Sequence, residues 1–394
     1  MNFLFAEFKG SKKWSISLPV LLWFALALIA GLAEYLHQSF NNYLIFKQVF
    51  LHTLEQRNLY LEYPSEYFDV NHYGPVFSLI IAPFAVLPDA LGVICWTLAN
   101  AAVLWLAIKK LPLTQQNFLI VLLIGLVDMM TASHNVQFNT MTAAFIIFAF
   151  VLVEEERDIW ATFFIALGFL TKLYGIAAIV FFLFSKHQVK FIGYLIMWMV
   201  LLFCLPMIIS TPAFVIQSYA DWYHALSDKV IQNTSGLSAS NMQDISVMGM
   251  VRRTFQTTSF KDIYVLIPAV AIFGLPLLRT SQYKSLGYRM HYLALALIAV
   301  VIFSDSAESA TYVIAMVGVG IWYVLQEKKT AWVNAVLVLA IILTSLSTTD
   351  LFPQYVKVHL IRAYALKALP CLIVWLLLIK EAAAGKFDDH KICV

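Results

Sequence analysis

The chain has 394 residues, of which 61% are hydrophobic and only 12% charged, where a soluble domain carries roughly a quarter charged residues. Its mean hydropathy is +0.79 and its formal net charge +3, which excludes a soluble globular enzyme, a long disordered region and a basic nucleic-acid-binding surface. What remains is an integral membrane protein.

The N-terminus opens on a polar stretch with Lys9, Lys12 and Lys13. The roughly twenty apolar residues that follow lack a small-residue cleavage site, so they read as a retained first span and not as a removed signal peptide. Backbone amides in hydrocarbon must be paired internally, and the alternation of a lipid-exposed barrel is absent, so the apolar blocks are predicted to be helices. They fall at 16–37, 91–108, 116–131, 135–153, 159–171, 172–185, 189–209, 262–279, 290–303, 306–325, 330–347 and 358–380, about twelve crossings. The run 75–88, broken by Pro83 and closed by Pro88, is short for a core of roughly 30 Å and is either re-entrant or a thirteenth crossing. Four cysteines (Cys95, Cys204, Cys371 and Cys393) lie without a CxxC pair or metal spacing and read as packing residues.

Lysine and arginine accumulate on the cytoplasmic side of membrane proteins. With the N-terminus inside, most of the 26 basic residues fall there, in the N-terminal stretch, the turns (Lys109, Lys110, Arg157, Lys186, Lys190, Arg279, Lys284, Arg289, Lys328, Lys329) and a cytoplasmic C-terminal tail (Lys380, Lys386, Lys391). Two long polar loops, 38–74 and 210–261, then face outward, and long loops are where function concentrates. The predicted fold class is all-α: one polytopic transmembrane domain over 1–394 carrying these two extracytoplasmic loops.

In the first loop Leu44, Phe46, Val49, Phe50 and Leu54 recur near helical spacing, as in an interfacial amphipathic helix. Its second half gathers Tyr60, Tyr63, Tyr67, Phe68, His72 and Tyr73 around Asp69. That is either an aromatic belt at headgroup level or the rings and hydroxyls of a sugar-binding cleft. The segment SHNVQFNT places His134, Asn135, Gln137 and Asn139 at the outer ends of two spans, with Asp128 before them. Polar groups at that depth either pair between helices or line a cavity.

The run 159–185 exceeds one span but yields two helices of about 13 residues, each reaching about 20 Å. The turn at Thr171-Lys172 then places an ammonium within the membrane, a functional-site expectation unless the lysine snorkels or the run is one tilted helix. In the second loop the adjacent Arg252 and Arg253 suit a phosphate, specific or bulk lipid, through planar forks. Asp305 and Glu308 read as a helix start capped by Ser304 or Ser306, in preference to an acid and base pair or a cation site.

The succession LY-x2-YP, YGPVFSLIIAPFAVLP, WTLAN, NVQFN, the TK turn and NMQDIS before the arginines resembles glycosyltransferase family 87, polytopic GT-C transferases. The resemblance spans about residues 15–325. It implies a GT-C-like fold and hexosyl transfer, mannosyltransferase-like, from a polyprenyl-phosphate sugar donor to a glycan or lipid acceptor on the extracytoplasmic side of a cell membrane. A carboxylate would take the acceptor's proton while cations stabilise the departing phosphate, and no nucleotide fold, metal or cofactor is called for. Beyond donor, acceptor and membrane lipids it implies no partner, and no nucleic acid. Lys172, with Arg252 and Arg253, is the expected phosphate-binding set. Asn42, Tyr60, Tyr63, His72, Tyr73, Gln137, Asn139 and Gln243 are expected on the substrate.

The chain departs from the family pattern at one place. The aspartate usual after the first span is replaced by Asn41-Asn42-Tyr43, and an amide is not a base. Asp69, or less favourably Glu34, then supplies the carboxylate, or the site works differently, or activity is lost. A carrier for a lipid-linked sugar and a noncatalytic relative remain as alternatives; no internal repeat supports the carrier.

Overall fold

The computed structural model describes residues 7–11, 14–235, 242–385 and 387; Lys12, Lys13, Lys386, Lys391 and Cys393 lie outside them. After an antiparallel hairpin of β1 (Glu7–Ser11) and β2 (Trp14–Ser17), the described elements are helical. They are α1 (Leu18–Leu36), α2 (Asn41–Glu55), α3 (Phe77–Ala85), α4 (Asp89–Lys109), α5 (Gln115–His134), α6 (Asn139–Glu154) and α7 (Asp158–Thr171), then a 3-10 helix (Leu173–Phe184). There follow α8 (Gln188–Cys204), α9 (Pro212–Ser235), α10 (Val247–Thr254), α11 (Ile263–Gly274), α12 (Leu286–Ile302), α13 (Tyr312–Leu325), α14 (Ala331–Ala340), the single turn α15 (Gln354–Val356) and α16 (Ala368–Ala384). Five helical stretches, Leu18–Leu36, Asp89–Lys109, Gln115–His134, Gln188–Ile208 and Ala331–Thr348, are long and apolar enough to cross a membrane, and shorter apolar helices stand between them. The protein is an all-α polytopic membrane protein.

The chain divides into two compact units. The first comprises residues 22–110 and 132–229. Here α1 lies close along α4: Trp23 Nε1 donates to Ala101 O at 2.9 Å, and a Cβ on Gly31 would meet Thr97 Oγ1 at 2.4 Å. Helix α2 forms where the loop's helical spacing predicts it, but its buried face is Tyr43, Ile45, Phe46, Val49, His52 and Thr53, while Leu54 is exposed. Its axis is fixed by Tyr43 Oη donating to Phe84 O at the end of α3, 2.8 Å. With nine residues, α3 reaches only about 13 Å, short of a crossing. Rings of Phe46, Tyr73, Phe77, Trp96 and Phe138 make the aromatic core, with Tyr73 stacked on Phe77 at 4.6 Å.

Two expectations change in this unit. The pair of short helices in 159–185 is present, but the second is 3-10 over 12 residues, an unusual length for that helix, and it rises about 24 Å. The second polar loop is largely helical. Pro212 opens α9, a position that costs no helical hydrogen bond, and Val215, Ser218 and Trp222 recur at helical spacing as its buried face. Polarity of the other faces is what made the segment read as loop.

The second unit comprises residues 1–21, 111–131 and 230–394. Helices α12 and α13 are buried along nearly their whole length, pressed together where a Cβ on Gly318 would meet Ile298 Cγ1 at 2.8 Å. The predicted helix 358–380 is broken: Lys357–Arg362 is π-helical, Ala365 has φ 50°, and α16 starts only at Ala368. The break carries Lys367 to Asp128 of α5, Nζ to Oδ1 3.5 Å, and Ser345 donates to Asp128 Oδ2 at 2.5 Å. Before α13, Glu308 itself is the N-cap and Thr311 completes the box, Glu308 N donating to Thr311 Oγ1 at 3.3 Å; neither Ser304 nor Ser306 caps. Of the described cysteines, all free, only Cys371 is buried, so Cys95 and Cys204 are not core packing residues.

Removing one partner of a buried ion pair strands the other charge, a loss on the order of 3–5 kcal/mol. Lys367→Met should therefore lower the thermal stability of the detergent-solubilised protein sharply, and Asp128→Asn combined with it should recover much of the loss. Equal melting temperatures for the Lys367→Met variant and the wild type would contradict this account of the break.

Candidate functional site

The site in the first unit is built by one close approach. Gly74 N donates to Thr171 O at 3.0 Å, and a Cβ at Gly74 would stand 1.9 Å from Leu170 O, so only glycine lets the 71–75 segment lie on the end of α7. A second glycine contact turns the chain there, since a Cβ on Gly175 would lie 2.3 Å from the Gly168 carbonyl carbon. Between them Lys172 is extended (φ −149°, ψ 120°). Its Nζ donates to Asn139 Oδ1 at 2.6 Å and lies 4.8 Å from the centre of the Tyr174 ring and 5.6 Å from that of Tyr73. Asn139 Nδ2 and the Tyr73 hydroxyl both donate to Gln137 Oε1, at 3.5 and 3.3 Å. Tyr73, Gln137, Asn139 and Lys172, singled out from separate stretches of sequence, thus form one polar chain.

His72 joins them from the same loop. Trp222 Nε1 of α9 donates to its backbone O at 2.9 Å, while both of its ring nitrogens are buried without a hydrogen-bond partner. Burial, then the Lys229 ammonium, push the imidazole down to about 4; Asp69 opposes this and Lys172 adds to it. Lys229 is not among the residues that the sequence motifs single out. It stands seven positions after Trp222, two turns along the same helix face, and that spacing was the available signal. Its ammonium lies 3.9 Å from Asp69 Oδ2, with the Lys229 side chain 15% and the Asp69 side chain 61% exposed.

Asp69 has φ 72°, a left-handed backbone, and its Oδ1 accepts from Val70 N at 2.9 Å. The residue before it is held by Asn41, whose Nδ2 donates to Phe68 O at 2.6 Å and whose Oδ1 accepts from Phe68 N at 2.8 Å. Only an amide makes both bonds, because an ionised carboxylate has no donor. Asn42 Nδ2 donates to Asn135 O at 2.7 Å, and Glu34 Oε1 is 2.9 Å from His134 Nδ1. Two expected sugar contacts are spent on the fold: the Tyr60 hydroxyl donates to Tyr73 O at 3.0 Å and that of Tyr63 to Asn58 O at 2.8 Å.

The remaining predicted residues lie in the second unit. Arg252 and Arg253 are 2% and 1% exposed. Arg252 Nε donates to Asp244 Oδ2 at 2.9 Å and Nη1 to Asp262; Arg253 donates to Arg362 O at 2.6 Å and Gln243 O at 2.5 Å. Two donors of each fork are held by protein oxygens, so in this structure the pair anchors the segment 242–262. Burial pushes the Asp244 carboxyl up to about 6 despite Arg252. Gln243 Nε2 donates to Glu308 Oε2 at 3.0 Å, and the Asp305 side chain accepts from Ser306 at 3.1 Å.

Residues 71–304, more than half the chain, match the model of glycosyltransferase family 87. The chain belongs to glycosyltransferase family 87. It is thus a membrane glycosyltransferase of GT-C type. Among solved structures it is similar to ArnT from Cupriavidus metallidurans, crystallised with undecaprenyl phosphate, at 12% identity and a TM-score of 0.41 over 93% of this chain and 77% of that one. That similarity is too distant to bear on chemistry. No curated protein matches the chain.

For a family 87 protein the geometry at Asn41 is informative, because the amide stands where the resemblance leads one to expect an acid and has become a clip for the loop carrying Asp69. Asn41→Asp should lose the bond to Phe68 O and set a carboxylate against a carbonyl, destabilising the protein by about 0.5–1.5 kcal/mol. A carboxylic acid regains an O–H donor, so the deficit against wild type should shrink as pH falls toward 4. A thermal-shift series over pH checks both; a deficit independent of pH would argue against the clip.

Proposed function

We propose that this family 87 protein transfers a hexose, mannose by family likeness, from a polyprenyl-phosphate donor to a glycan or lipid acceptor on the extracytoplasmic side. The observation that carries the reading is the gathering of two ammonium groups, Lys172 and Lys229, with Asp69 and the loop His72-Tyr73 around the end of α7. A sugar phosphate needs cations for its phosphate and a carboxylate for the incoming hydroxyl. In the proposed step the acceptor hydroxyl attacks the anomeric carbon and its proton passes to Asp69. The bond to the phosphate oxygen breaks, and the phosphate leaves with the electron pair facing Lys172 and Lys229. Tyr73, Gln137 and Asn139 line the approach to that pair, and the two termini of the chain lie on the cytoplasmic side.

A second reading, a carrier for a lipid-linked sugar, draws on the amide at Asn41. A labelled donor separates the two, since sugar appearing on an acceptor means transfer and sugar moved between leaflets without bond breakage means carriage. With purified protein in liposomes, Asp69→Asn should reduce transfer by at least about a hundredfold, the scale of general-base catalysis, with an unchanged melting temperature. Lys172→Ala and Lys229→Ala should each raise the donor KM. Undiminished turnover by Asp69→Asn would remove it as the base.

A further inference from the structure

A neutral imidazole carries one N–H donor and one acceptor nitrogen, and a protein interior rarely leaves both without a partner. His72 is such a case: Nδ1 and Nε2 are both buried and neither is hydrogen-bonded. Its backbone is held firmly by Trp222, so the ring is placed by the fold and its nitrogens are not engaged by it. The charged groups that act on the ring come from three directions: Lys229 from α9, Asp69 from its own loop and Lys172 from the turn after α7. Two of these three are cations. Burial is the first reason that the ring is neutral while nothing else is present, and the two cations add to it against Asp69; an anion placed beside them would offset their share.

We propose that His72 is the third phosphate-facing group of this cluster, uncharged when the cluster is empty and protonated while a phosphate monoester is bound. Placing a dianion beside Lys172 and Lys229 offsets their field and gives a buried imidazolium a counter-charge, which lowers the cost of burying the charged ring. It also offers oxygen acceptors to N–H groups, and only the protonated ring can donate from both nitrogens. The proton comes from solvent, and no covalent bond changes in this step. In the transfer reaction the donor is a phosphodiester with one negative charge and the product a phosphate monoester with two. A ring that gains a proton as the second charge appears therefore favours the departing phosphate over the donor, which is the sense of stabilisation that assists bond breaking. The inference rests on reading the cluster as a phosphate site.

The test is calorimetry of the full-length protein in lipid nanodiscs at pH 5.5, with farnesyl phosphate as the probe, in two buffers of different ionisation enthalpy. The apparent enthalpies report the protons taken up on binding, and the probe's own titration is common to every variant. Wild type should take up about one proton more per site than His72→Gln or His72→Phe. Its affinity should exceed theirs by about tenfold at pH 5.5, the worth of a charge-assisted hydrogen bond, and the advantage should fade at pH 8.5. Both variants keep the backbone carbonyl that Trp222 binds and remove no side-chain hydrogen bond of the fold, and His72→Phe keeps the ring volume. Inorganic phosphate producing the same His72-dependent uptake at higher concentration supports phosphate as the recognised group, with the lipid chain adding affinity. Equal proton uptake and affinity in wild type and both variants would overturn the role of His72 and leave the phosphate site standing. Failure of farnesyl phosphate to bind wild type, or binding indifferent to Lys172→Ala and Lys229→Ala, would overturn the site reading and the inference with it.

Discussion

The arrangement of the first unit depends on a backbone touching a backbone. Gly74 lies against Leu170 O and bonds to Thr171 O, at a separation that no side chain at position 74 permits. Everything polar in the cluster is referred to that contact. The loop before Gly74 supplies His72 and Tyr73, and the turn after Thr171 supplies Lys172. The rings of Tyr73 and Phe77, on either side of Gly74, sink into the aromatic core with Phe46 and Phe138. Apolar burial thus holds in place a loop whose outer side is polar. About 25 cal/mol per Å² of buried apolar surface is the force available for that, and the large rings supply much of the area.

Charge distribution gives the cluster its character. Lys172 leans on an amide and two rings, and Lys229 has a half-exposed aspartate at the edge of ion-pair distance. Both lysines are half-buried, and a cation so placed gains from an incoming anion. The second unit uses charge in the opposite way. Arg252 and Arg253 are almost fully buried, and donors of both bond to Asp244, Asp262 and backbone carbonyls. Cations therefore serve as structural anchors in one unit and gather beside the His72 loop in the other, and the difference lies in which acceptors the fold brings within reach.

Much of the architecture was legible beforehand. Most apolar blocks became helices near their predicted ends, because lipid-compatible length and composition are one-dimensional properties. The helical spacing of Phe46 and Val49 announced α2, and the length of 159–185 announced the reversal at Thr171-Lys172. The failures have physical causes. The helix predicted over 358–380 breaks because Lys367 is drawn to Asp128, a residue more than two hundred positions away in the chain. The 210–261 segment reads as loop by its polarity, although Val215, Ser218 and Trp222 carry a helical period.

For the site, residue chemistry and family likeness pointed to Lys172, Gln137, Asn139, Tyr73 and His72, and membership of glycosyltransferase family 87 is a property of the linear order of motifs. The amino-acid sequence by itself thus determined the class of molecule, its helices and the residue types available for chemistry. Only the tertiary structure decided which of those residues stand together. It turned Tyr60, Tyr63, Arg252 and Arg253 inward onto backbone and carboxylate partners, made Asn41 a clip for the loop of Asp69, and brought Lys229 from a distant helix to His72. Hydrogen-bond partners and local charge are set by distances in space, and those depend on a glycine contact between two segments about a hundred residues apart.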